Sequence, residues 1–556
     1  MITLASHRSL QGTATAIAAV AASLVAGRAS AQVSFQGSYT QHFDGLGQSG
    51  TATLTGIGPH VINGVLGATG LDGWFAGNFG GSSTNTEFKA HDGSLASSAG
   101  RGVVSFGTTG SSERALGGLS TSNQIPGFGV VLTNDSNRTL VDVTISYPGE
   151  QWRAGDANIA DVLNFRYGFG ASLTDATTAF AALNFATPVV SGGNIALNGN
   201  LPANQTQVSA TITGIEWAPG ESIVLRWDAI DLSGQDNGLA IDDLSVVGTP
   251  KPITSLNLAN YELCATHALP GTAAAEASAV SYDWDTGTLF VLGDEGDALV
   301  EVSLTGELLG QMTLTGFDDT EGLTYIGEGT FVIVEERLQD VYLIEYVAGG
   351  SVDRSILPSV SLGDTVGNIG LEGISYDPIG GGYVTVKEKS PQGVFQAELD
   401  WSGPAGSMTS LFTPRLGVLD LSDVAVLTTV PSLVGTSDED NLLLFSQESA
   451  ILLEVTPSGT ALSSFSFGGI ATDAEGVTIG PDGTIYVVGE TPSLYVLCPL
   501  EVACPADLNG DGSVGADDLA TLLGAWSNAG ASDLDGSGTV DSADLAILLG
   551  AWGNCS

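Results

Sequence analysis

The sequence predicts a mainly β protein with three folded parts: a jelly-roll-like β-sandwich at residues 32–250, a five- or six-bladed β-propeller at 251–500, and a small all-α tail at 504–556. Three observations predict this organisation. Apolar and polar residues alternate with a period of two in the first part, and a short phrase recurs about every fifty residues in the second. In the third part, two acidic loops each precede a helical pattern.

Residues 1–31 are expected to be removed rather than folded. His7 and Arg8 give a weakly positive start, residues 14–25 are apolar, and Ala29-Ser30-Ala31 form a small-residue cleavage site. These features predict a secretory signal peptide, so we expect a secreted protein that is extracellular or associated with the cell surface. The apolar run is too short for a membrane span, and no later stretch reaches spanning length.

The charge balance restricts the partners. The chain has 15 basic and 62 acidic residues, a formal net charge of −47. Such a chain repels nucleic acid and anionic membranes and attracts divalent cations. An acidic surface suited to a saline exterior is the simpler interpretation of the same balance.

Residues 32–250 read as an antiparallel sandwich. Val141, Val143, Ile145 and Tyr147 alternate with polar neighbours, and helical periodicity is nearly absent. The closing phrase GLAIDDLSVVG at 238–248 resembles the last strand of lectin-like sandwiches in secreted bacterial proteins. This resemblance implies a carbohydrate ligand as one candidate.

Two kinds of side chain in this first part carry functional hypotheses. Trp74, Trp152 and Trp217 could stack on sugar rings, although a tryptophan on a strand more often belongs to the core. Asp242 and Asp243 could hold a structural calcium ion. The histidines lie in unrelated contexts with no nucleophile motif near them, so catalysis is not expected here.

After the proline-bearing linker at 249–254, a repeated unit of strands and glycine turns predicts propeller blades. Its opening phrase is EASAVSY, EGLTY, EGISY or EGVTI, with a worn copy SDVAV at Ser422. The acidic residues that open the good copies are Glu276, Glu321, Glu372 and Glu475. The apolar runs that follow end in a second series, Glu295, Glu336, Glu388, Glu448 and Glu490.

Radial packing brings equivalent positions of every blade together on one ring about the axis. Several carboxylates held close together cannot all stay ionised without a proton or a cation, and outside the cell calcium is the abundant cation with oxygen ligands. The sequence therefore predicts a metal or ligand site in the channel. The alternative is that these glutamates only cap turns, with the Glu-Gly pair marking a tight turn.

The four cysteines are all late in the chain. Three pairings are open to them, and we expect Cys264–Cys498 and Cys504–Cys555, because each would join the ends of one folded part. Five copies, counting the worn one at Ser422, predict five blades. A sixth blade could form from residues 256–268 together with the final strand.

The tail contains two calcium loops with EF-hand spacing. The ligand positions 1, 3, 5, 7, 9 and 12 are Asp507, Asn509, Asp511, Ser513, Gly515 and Asp518 in the first loop, and Asp533, Asp535, Ser537, Thr539, Asp541 and Asp544 in the second. A helix is expected after each loop, with one apolar face formed by Leu519, Leu522, Leu523 and Trp526, and by Leu545, Leu548, Leu549 and Trp552.

Two family resemblances follow from these motifs. The repeats EASAVSYDWDTGTLFVLGDEG, EGLTYIGEGTFVIVEER, GLEGISYDP and EGVTIGPDGTIYVVGE resemble the SdiA-regulated family over about 260–498. That resemblance implies a propeller with a metal in its channel and no established reaction. The repeats are also similar to phytase-like propellers, which hydrolyse phosphate esters over calcium.

Loop, single helix and duplication at 504–556 resemble a type I dockerin, which implies two bound calcium ions and docking to a cohesin-like partner or other extracellular scaffold. The leading hypothesis is thus a secreted calcium-binding protein for extracellular binding and assembly, in a setting of polysaccharide breakdown. The alternative is a calcium-dependent hydrolase, a phosphoesterase or glycan hydrolase, acting in the propeller channel. The sequence leaves open whether the protein is an enzyme.

Overall fold

A computed structural model of the chain describes residues 32–554, except 137, 294–296, 368, 404–405, 501–505, 510–512, 529, 531 and 535–536. The signal peptide expected at 1–31 and the pair Cys504 and Cys555 therefore lie outside the described residues. The described chain divides into two compact units. The first contains residues up to 135, 144–212 and 220–247, and the second contains 136–143, 213–219 and the chain from 248 onward.

The N-terminal part of the chain is built from eighteen described strands and one short helix. They are β1 (Val33–Phe35), β2 (Ser38–Gln41), β3 (Gly50–Thr55), β4 (His60–Val61), β5 (Trp74–Asn78), β6 (Asn85–His91), α1 (Ser97–Gly100), β7 (Gly102–Phe106), β8 (Ala115–Leu119), β9 (Pro126–Asn134), β10 (Leu140–Ala154), β11 (Val162–Phe169), β12 (Thr178–Ala179), β13 (Phe185–Ala186), β14 (Ile195–Ala196), β15 (Gln205–Trp217), β16 (Ser222–Asp228), β17 (Gly238–Ile241) and β18 (Leu244–Pro250).

These strands form two sheets. Among the described residues, one sheet has eight strands around the order β12–β11–β16–β9–β5–β4, and the other has ten around β2–β18–β10–β17–β8–β7–β6–β3. Trp227 on β16 packs edge-on against Tyr147 on β10 at 5.6 Å between ring centroids, so aromatic side chains of the two sheets share one core.

The tryptophans considered for sugar stacking are buried. Trp74, Trp152 and Trp217 are each 0% exposed. The hypothesis that they stack on sugar rings is therefore wrong, because a ring with no exposed surface cannot receive a sugar. The simpler interpretation, that they are core residues, is correct.

The second unit carries twenty-one described propeller strands. They are β19 (Tyr261–Ala268), β20 (Ala277–Asp283), β21 (Thr288–Gly293), β22 (Ala298–Val302), β23 (Leu308–Thr315), β24 (Thr320–Gly327), β25 (Thr330–Glu335), β26 (Asp340–Glu345), β27 (Ser351–Asp353), β28 (Ser359–Ser361), β29 (Leu371–Asp377), β30 (Gly382–Lys387), β31 (Gly393–Glu398), β32 (Ser407–Phe412), β33 (Asp423–Val426), β34 (Leu442–Ser446), β35 (Ile451–Val455), β36 (Ala461–Ser466), β37 (Ala474–Ile479), β38 (Ile485–Gly489) and β39 (Ser493–Pro499).

The described strands form the five sheets of a five-bladed propeller. Blade 1 is β20–β21–β22–β23 with β27 added parallel to β23, and blade 2 is β24–β25–β26–β28. Blade 3 is β29–β30–β31–β32, blade 4 is β33–β34–β35–β36, and blade 5 is β37–β38–β39–β19. The first strand of each of blades 1 to 4 contacts the first strand of the next, and β37 contacts β20. These five strands are therefore the inner ring.

The two ends of the propeller segment close the ring. Strand β19 pairs antiparallel with β39 as the outer strand of blade 5, and Cys264 on β19 is bonded to Cys498 on β39. The expected Cys264–Cys498 disulfide is confirmed, and so is closure between the two ends of the segment. A sixth blade is not formed by the described residues, because the strand considered for it completes the fifth.

A ladder of hydroxyl groups ties neighbouring blades together. The Tyr325 amide donates to Ser281 Oγ at 2.9 Å, and the Tyr376 amide donates to Thr324 Oγ1 at 2.8 Å. The same contact joins Val426 to Ser375 and Tyr282 to Thr478. Blade 4 has Ala425 at this position, and there the carboxylate of Asp423 accepts the Val477 amide instead, at 2.7 Å. At each junction, a backbone amide of one inner strand thus finds a side-chain acceptor on the neighbouring blade.

The tail has two nine-residue helices, α2 (Ala516–Gly524) and α3 (Ser542–Gly550), and a short pair of strands, β40 (Ser513–Val514) and β41 (Gly553–Asn554). Leu522 and Leu548 are buried together with Val514 and Val540. Leu519 and Leu545 are partly buried, whereas Leu523, Trp526, Leu549 and Trp552 are exposed. The apolar face expected for each helix therefore has a buried or partly buried half and an exposed half.

No helix in the described part of the chain is both long enough and apolar enough to cross a membrane.

Candidate functional site

Three of the four glutamates predicted to open the inner strands lie on a β-bulge of such a strand. The register between the first two strands shifts at Thr320/Gly322 in blade 2, at Leu371/Ile374 in blade 3 and at Ala474/Gly476 in blade 5. These bulges contain Glu321, Glu372 and Glu475. A bulge leaves one residue out of the ladder and re-aims its side chain, which is how these carboxylates leave the blade and meet one another.

Blade 1 has the same bulge, but it contains a different residue. Its register shift lies at Ala277/Ala279, so Ser278 and not Glu276 occupies the ring position. Glu276 lies two residues earlier, is exposed and has a left-handed backbone with φ of 50°. In the worn copy of blade 4, Ser422 takes the ring position and its Oγ donates to the Glu475 carbonyl at 3.2 Å. The ring is therefore Ser278, Glu321, Glu372, Ser422 and Glu475.

The three ring glutamates converge. Glu321, Glu372 and Glu475 each place a carboxylate oxygen within 4.8 Å of the other two. Glu372 is buried, and Glu321 and Glu475 are partly exposed. Three carboxylates at this spacing match the oxygen donor set that Ca²⁺ prefers.

A second group of three shares Glu372 with the first. Glu336 and Glu388, from the ends of β25 and β30, also lie within 4.8 Å of one another and of Glu372. Glu336 is 2% exposed, and its Oε1 accepts the Gly370 amide at 2.7 Å. Burial, together with the carboxylates of Glu321, Glu336 and Glu388, raises the pKa of Glu372 well above its usual range. Without a cation the cluster must therefore retain protons.

Asp319 is a member of this neighbourhood that the repeat pattern did not single out. It is 6% exposed, and its Oδ2 has no hydrogen-bond partner among the described residues. Burial and the neighbouring Glu336 raise the pKa of Asp319 to about 7, although Arg337, which contacts its Oδ1 at 2.8 Å, acts in the opposite direction. The signal that could have identified it is its place two residues before a ring position, where the blades also carry Glu276, Asp420 and Asp473.

The rest of the second series does not join the cluster. Glu448 and Glu490 are exposed, and Glu295 lies outside the described residues. Glu448 pairs with Lys389 at 3.1 Å, and Glu490 accepts from Gln447 at 3.0 Å. The structure thus brings together three glutamates of the first series and two of the second: Glu321, Glu372, Glu475, Glu336 and Glu388.

The nearby cations are engaged by the protein. Lys389 pairs with Glu388 and Glu448, Lys387 Nζ donates to the Lys389 carbonyl at 2.8 Å, and Arg337 pairs with Asp318 and Asp319. A phosphate site needs cations that face the substrate. This arrangement favours a cation ligand over an anionic one.

In the tail loops, the carboxylates at position 12 organise the backbone. Asp518 Oδ1 accepts the Leu508 and Asn509 amides at 2.7 and 3.1 Å, and Asp544 Oδ1 accepts the Leu534 amide at 2.7 Å. Both side chains are buried. Each loop thus folds around the carboxylate at its position 12.

The remaining loop positions are placed as follows. Asp533 Oδ2 accepts the amide of Gly538, the turn glycine, at 2.7 Å, and Gly538 has the expected positive φ of 96°. Asp541 caps α3, and Gly515 is the residue before α2. Asp511, Asp535 and the side chain of Ser513 lie outside the described residues.

A further carboxylate group lies in the N-terminal part. Glu113, Glu150 and Asp242 lie within 4.8 Å of one another. Burial raises the pKa of Glu150 to about 7 and that of Asp242 to about 9, although Trp152 and Gln205 donate to Glu150. Asp243, the other residue of the hypothesised calcium pair, instead faces His42 at 2.6 Å. The sequence could not single out Glu113 and Glu150, which are far from Asp242 along the chain.

The comparisons with known proteins concern the propeller. The sequence model of the SdiA-regulated family matches residues 254–498. A crystal structure of glutaminyl cyclase from Myxococcus xanthus matches at 14% identity and a TM-score of 0.28, covering 43% of this chain and 95% of that one. A selenomethionine-substituted virginiamycin B lyase from Staphylococcus aureus matches at 11% identity and a TM-score of 0.26, covering 49% and 87%.

The WD40 propeller domain of Doa1 matches at 11% identity and a TM-score of 0.29, covering 43% of this chain and 97% of that domain. We draw no function from these three. Residues 254–498 are a five-bladed β-propeller that matches the SdiA-regulated family.

Proposed function

We propose that this chain is a secreted calcium-binding protein that binds and assembles with other molecules outside the cell. In this proposal the propeller channel binds Ca²⁺ through Glu321, Glu372 and Glu475, with Glu336 and Glu388 completing or sharing the site. The tail loops bind two further Ca²⁺ ions as a dockerin, and the N-terminal sandwich or the propeller holds a ligand, in a setting of polysaccharide breakdown. The Cys264–Cys498 bond supports an oxidising location.

The observation that carries the proposal is the convergence of carboxylates on Glu372. This side chain is 6% exposed and has carboxylate oxygens of four other residues within 4.8 Å, Glu321 and Glu475 in one group and Glu336 and Glu388 in the other. A buried carboxylate among like charges is destabilising unless it takes up a proton or binds a cation. A calcium ion held by either group of three would supply the positive charge that these oxygens lack.

The exposed half of each tail helix supports docking. Leu523 and Trp526 follow the first loop as Leu549 and Trp552 follow the second, and all four side chains are exposed. Exposed apolar side chains repeated by a duplication provide two equivalent faces for a protein partner. The partner is proposed to be a cohesin-like scaffold protein.

Calcium binding to the channel is tested by isothermal titration of the full chain after chelation and dialysis. Wild type should bind Ca²⁺ at tail sites and at a channel site. Glu372→Gln should weaken the channel site by more than about tenfold, because loss of even an outer-shell partner has that effect. The double variant Asp518→Asn with Asp544→Asn should lose the tail sites and keep the channel site.

Glu490→Gln is the matched control, since Glu490 belongs to the same repeat series but lies exposed outside the cluster. Equal calcium binding by wild type and Glu372→Gln would contradict the channel site. The hydrolase alternative is tested by assaying the wild type and Glu336→Gln on aryl phosphates and glycans. If the wild type turns over one of these substrates and Glu336→Gln is folded but inactive, the propeller is an enzyme rather than a binding module.

A further inference from the structure

A polar cavity in the first unit is separate from the carboxylate groups described above. It has a volume of about 440 Å³ and lies where three loops meet: the segment around α1, the turn between β8 and β9, and the loop between β16 and β17. This volume is within the range of pockets that bind small ligands. Because three separate loops form its wall, it is a built concavity rather than a gap within one loop.

The lining of this cavity is almost entirely hydrogen-bonding. Hydroxyl groups predominate, Asn123 and Gln235 add amides, and Leu232 is the one aliphatic side chain among the lining residues. Arg101 and Asp231 contribute one formal charge of each sign. An apolar ligand would leave these groups unpaired, and the charges balance, so the lining suits a neutral ligand rich in hydroxyl groups.

Ser97 is a buried part of the cavity wall. It lines the cavity and is 2% exposed, and its Oγ has no hydrogen-bond partner among the described residues. Its amide donates to Gln235 Oε1 at 3.3 Å, which fixes the position of both side chains in the wall. The Ser97 Oγ is itself inaccessible from the cavity, so hydrogen bonds to a ligand would come from the exposed lining groups, among them Ser122, Asn123 and Asp231.

We propose that this cavity binds a neutral glycan segment. Sugar hydroxyls both donate and accept, and they are matched by the amides of Asn123 and Gln235, the carboxylate of Asp231 and the guanidinium of Arg101. The chain's net charge of −47 disfavours anionic ligands such as phosphates or uronates. The inference rests on the proposed function, since it assigns the ligand that the N-terminal sandwich would hold.

The test is affinity electrophoresis of the full chain, in calcium, through gels containing soluble neutral polysaccharides: mixed-linkage β-glucan, xyloglucan, galactomannan and neutral xylan. At least one should retard the wild type. Asn123→Ala with Gln235→Ala should raise the apparent Kd for that polysaccharide by about tenfold, as expected for two lost hydrogen bonds. Because Gln235 also holds Ser97, a second variant is Ser122→Trp, which fills the cavity from an exposed position on its rim and should abolish retardation.

Gln36→Ala is the control, because Gln36 is an exposed amide remote from the lining residues. The inference is overturned if none of these polysaccharides retards the wild type, or if retardation survives Ser122→Trp. Glu372→Gln, run beside these variants, separates the two proposals. If only Ser122→Trp loses retardation, the cavity is the glycan site, whatever the calcium titration shows. If only Glu372→Gln loses retardation, the glycan binds the propeller and the cavity proposal is wrong.

Discussion

Gly322, Gly373 and Gly476 follow the ring glutamates because the neighbouring blade leaves no room for a side chain. A Cβ atom on Gly322 would lie 2.6 Å from the Glu372 carbonyl oxygen, and one on Gly476 would lie 2.6 Å from the Ser278 carbonyl oxygen. None of the three has a positive φ. The Glu-Gly pair therefore marks a close approach between blades, and the tight turn considered as an alternative is wrong.

The displacement of Glu276 shows why an isolated phrase can be misaligned. EASAVSY and EGLTY both begin with glutamate, but the bulge and the hydroxyl ladder align Ser281 with Thr324, and hence Ser278 with Glu321. Two residues separate the apparent match from the structural one. Because side chains alternate along a strand, only the backbone register decides which residue takes the ring position.

The protonation of Asp236 should make stability depend on pH. Asp236 is 1% exposed, and burial with the nearby Asp161 and Asp231 raises its pKa to about 7. Its native pKa is above its unfolded value, so the folded state binds more protons and loses stability as pH rises from about 4 to about 7. Asp236→Asn removes the charge, and we expect it to stabilise the protein by at least about 1 kcal/mol at pH 8.

Differential scanning calorimetry between pH 4 and pH 8 measures this dependence. The control is Asp156→Asn in the same unit, because hydrogen bonds from Asn194 and Gln235 lower the pKa of Asp156. That substitution should destabilise the protein at neutral pH, the opposite sign. A stability gain from Asp236→Asn that is equal at pH 4 and pH 8 would show that Asp236 is not the titrating group.

At the scale of elements, strand β19 determines how the propeller closes. It precedes blade 1 in sequence but pairs with β39 in blade 5, so the final blade is built from both ends of the segment. Tyr261 and Leu263 on β19 pack against the core that blade 5 shares with blade 4. Blade 5 therefore reaches four strands only when the first strand of the segment is added to the last three.

Removing the Cys264–Cys498 disulfide should weaken this closure. The bond joins residues separated by 234 positions, with a Cα–Cα distance of 5.9 Å. Cross-linking so long a segment restricts the unfolded chain, so Cys264→Ala with Cys498→Ala is expected to lower the unfolding free energy by about 3–5 kcal/mol. Urea unfolding followed by circular dichroism measures the loss.

Reduction provides the matched control for this prediction. With a reductant present, which would also open the expected Cys504–Cys555 bond in both proteins, the wild type and the double variant should unfold at nearly the same urea concentration. If the double variant unfolds at the same urea concentration as the oxidised wild type, the β19–β39 pairing alone closes the propeller.

For the whole molecule, the dominant long-range force is self-repulsion. With a net charge of −47, the folded chain holds like charges closer together than the unfolded chain does. We therefore expect the chelated protein to gain thermal stability when NaCl is raised from about 20 mM to about 0.5 M, because the Debye length falls from roughly 20 Å to a few ångströms.

The melting temperature measured across this series checks the expectation. Repeating it with saturating calcium should give a smaller rise, since bound cations already neutralise part of the charge. A melting temperature that falls with salt would show that attractive ion pairs such as Arg354–Glu335 outweigh the repulsion.

The fifty-residue repeats were the feature of the sequence that predicted most of the propeller fold. Periodicity predicted the propeller and limited it to five or six blades, because each blade repeats one local pattern of strands. The positions of the cysteines favoured the Cys264–Cys498 pairing, and the structure decided for five blades. The convergence of Glu321, Glu372 and Glu475 follows from the same symmetry. Asp319, Glu113 and Glu150 do not follow from it, because their neighbours come from distant strands.

The sequence by itself determined the strand-rich architecture, a propeller of five or six blades and the residue types that can bind cations, because these depend on local period and composition. Only the tertiary structure decided which carboxylates meet, that Ser278 replaces Glu276 on the ring, and that three tryptophans are buried rather than available to sugars. Those outcomes depend on bulges and on contacts between blades and sheets, where a shift of one or two residues redirects a side chain from solvent to the channel.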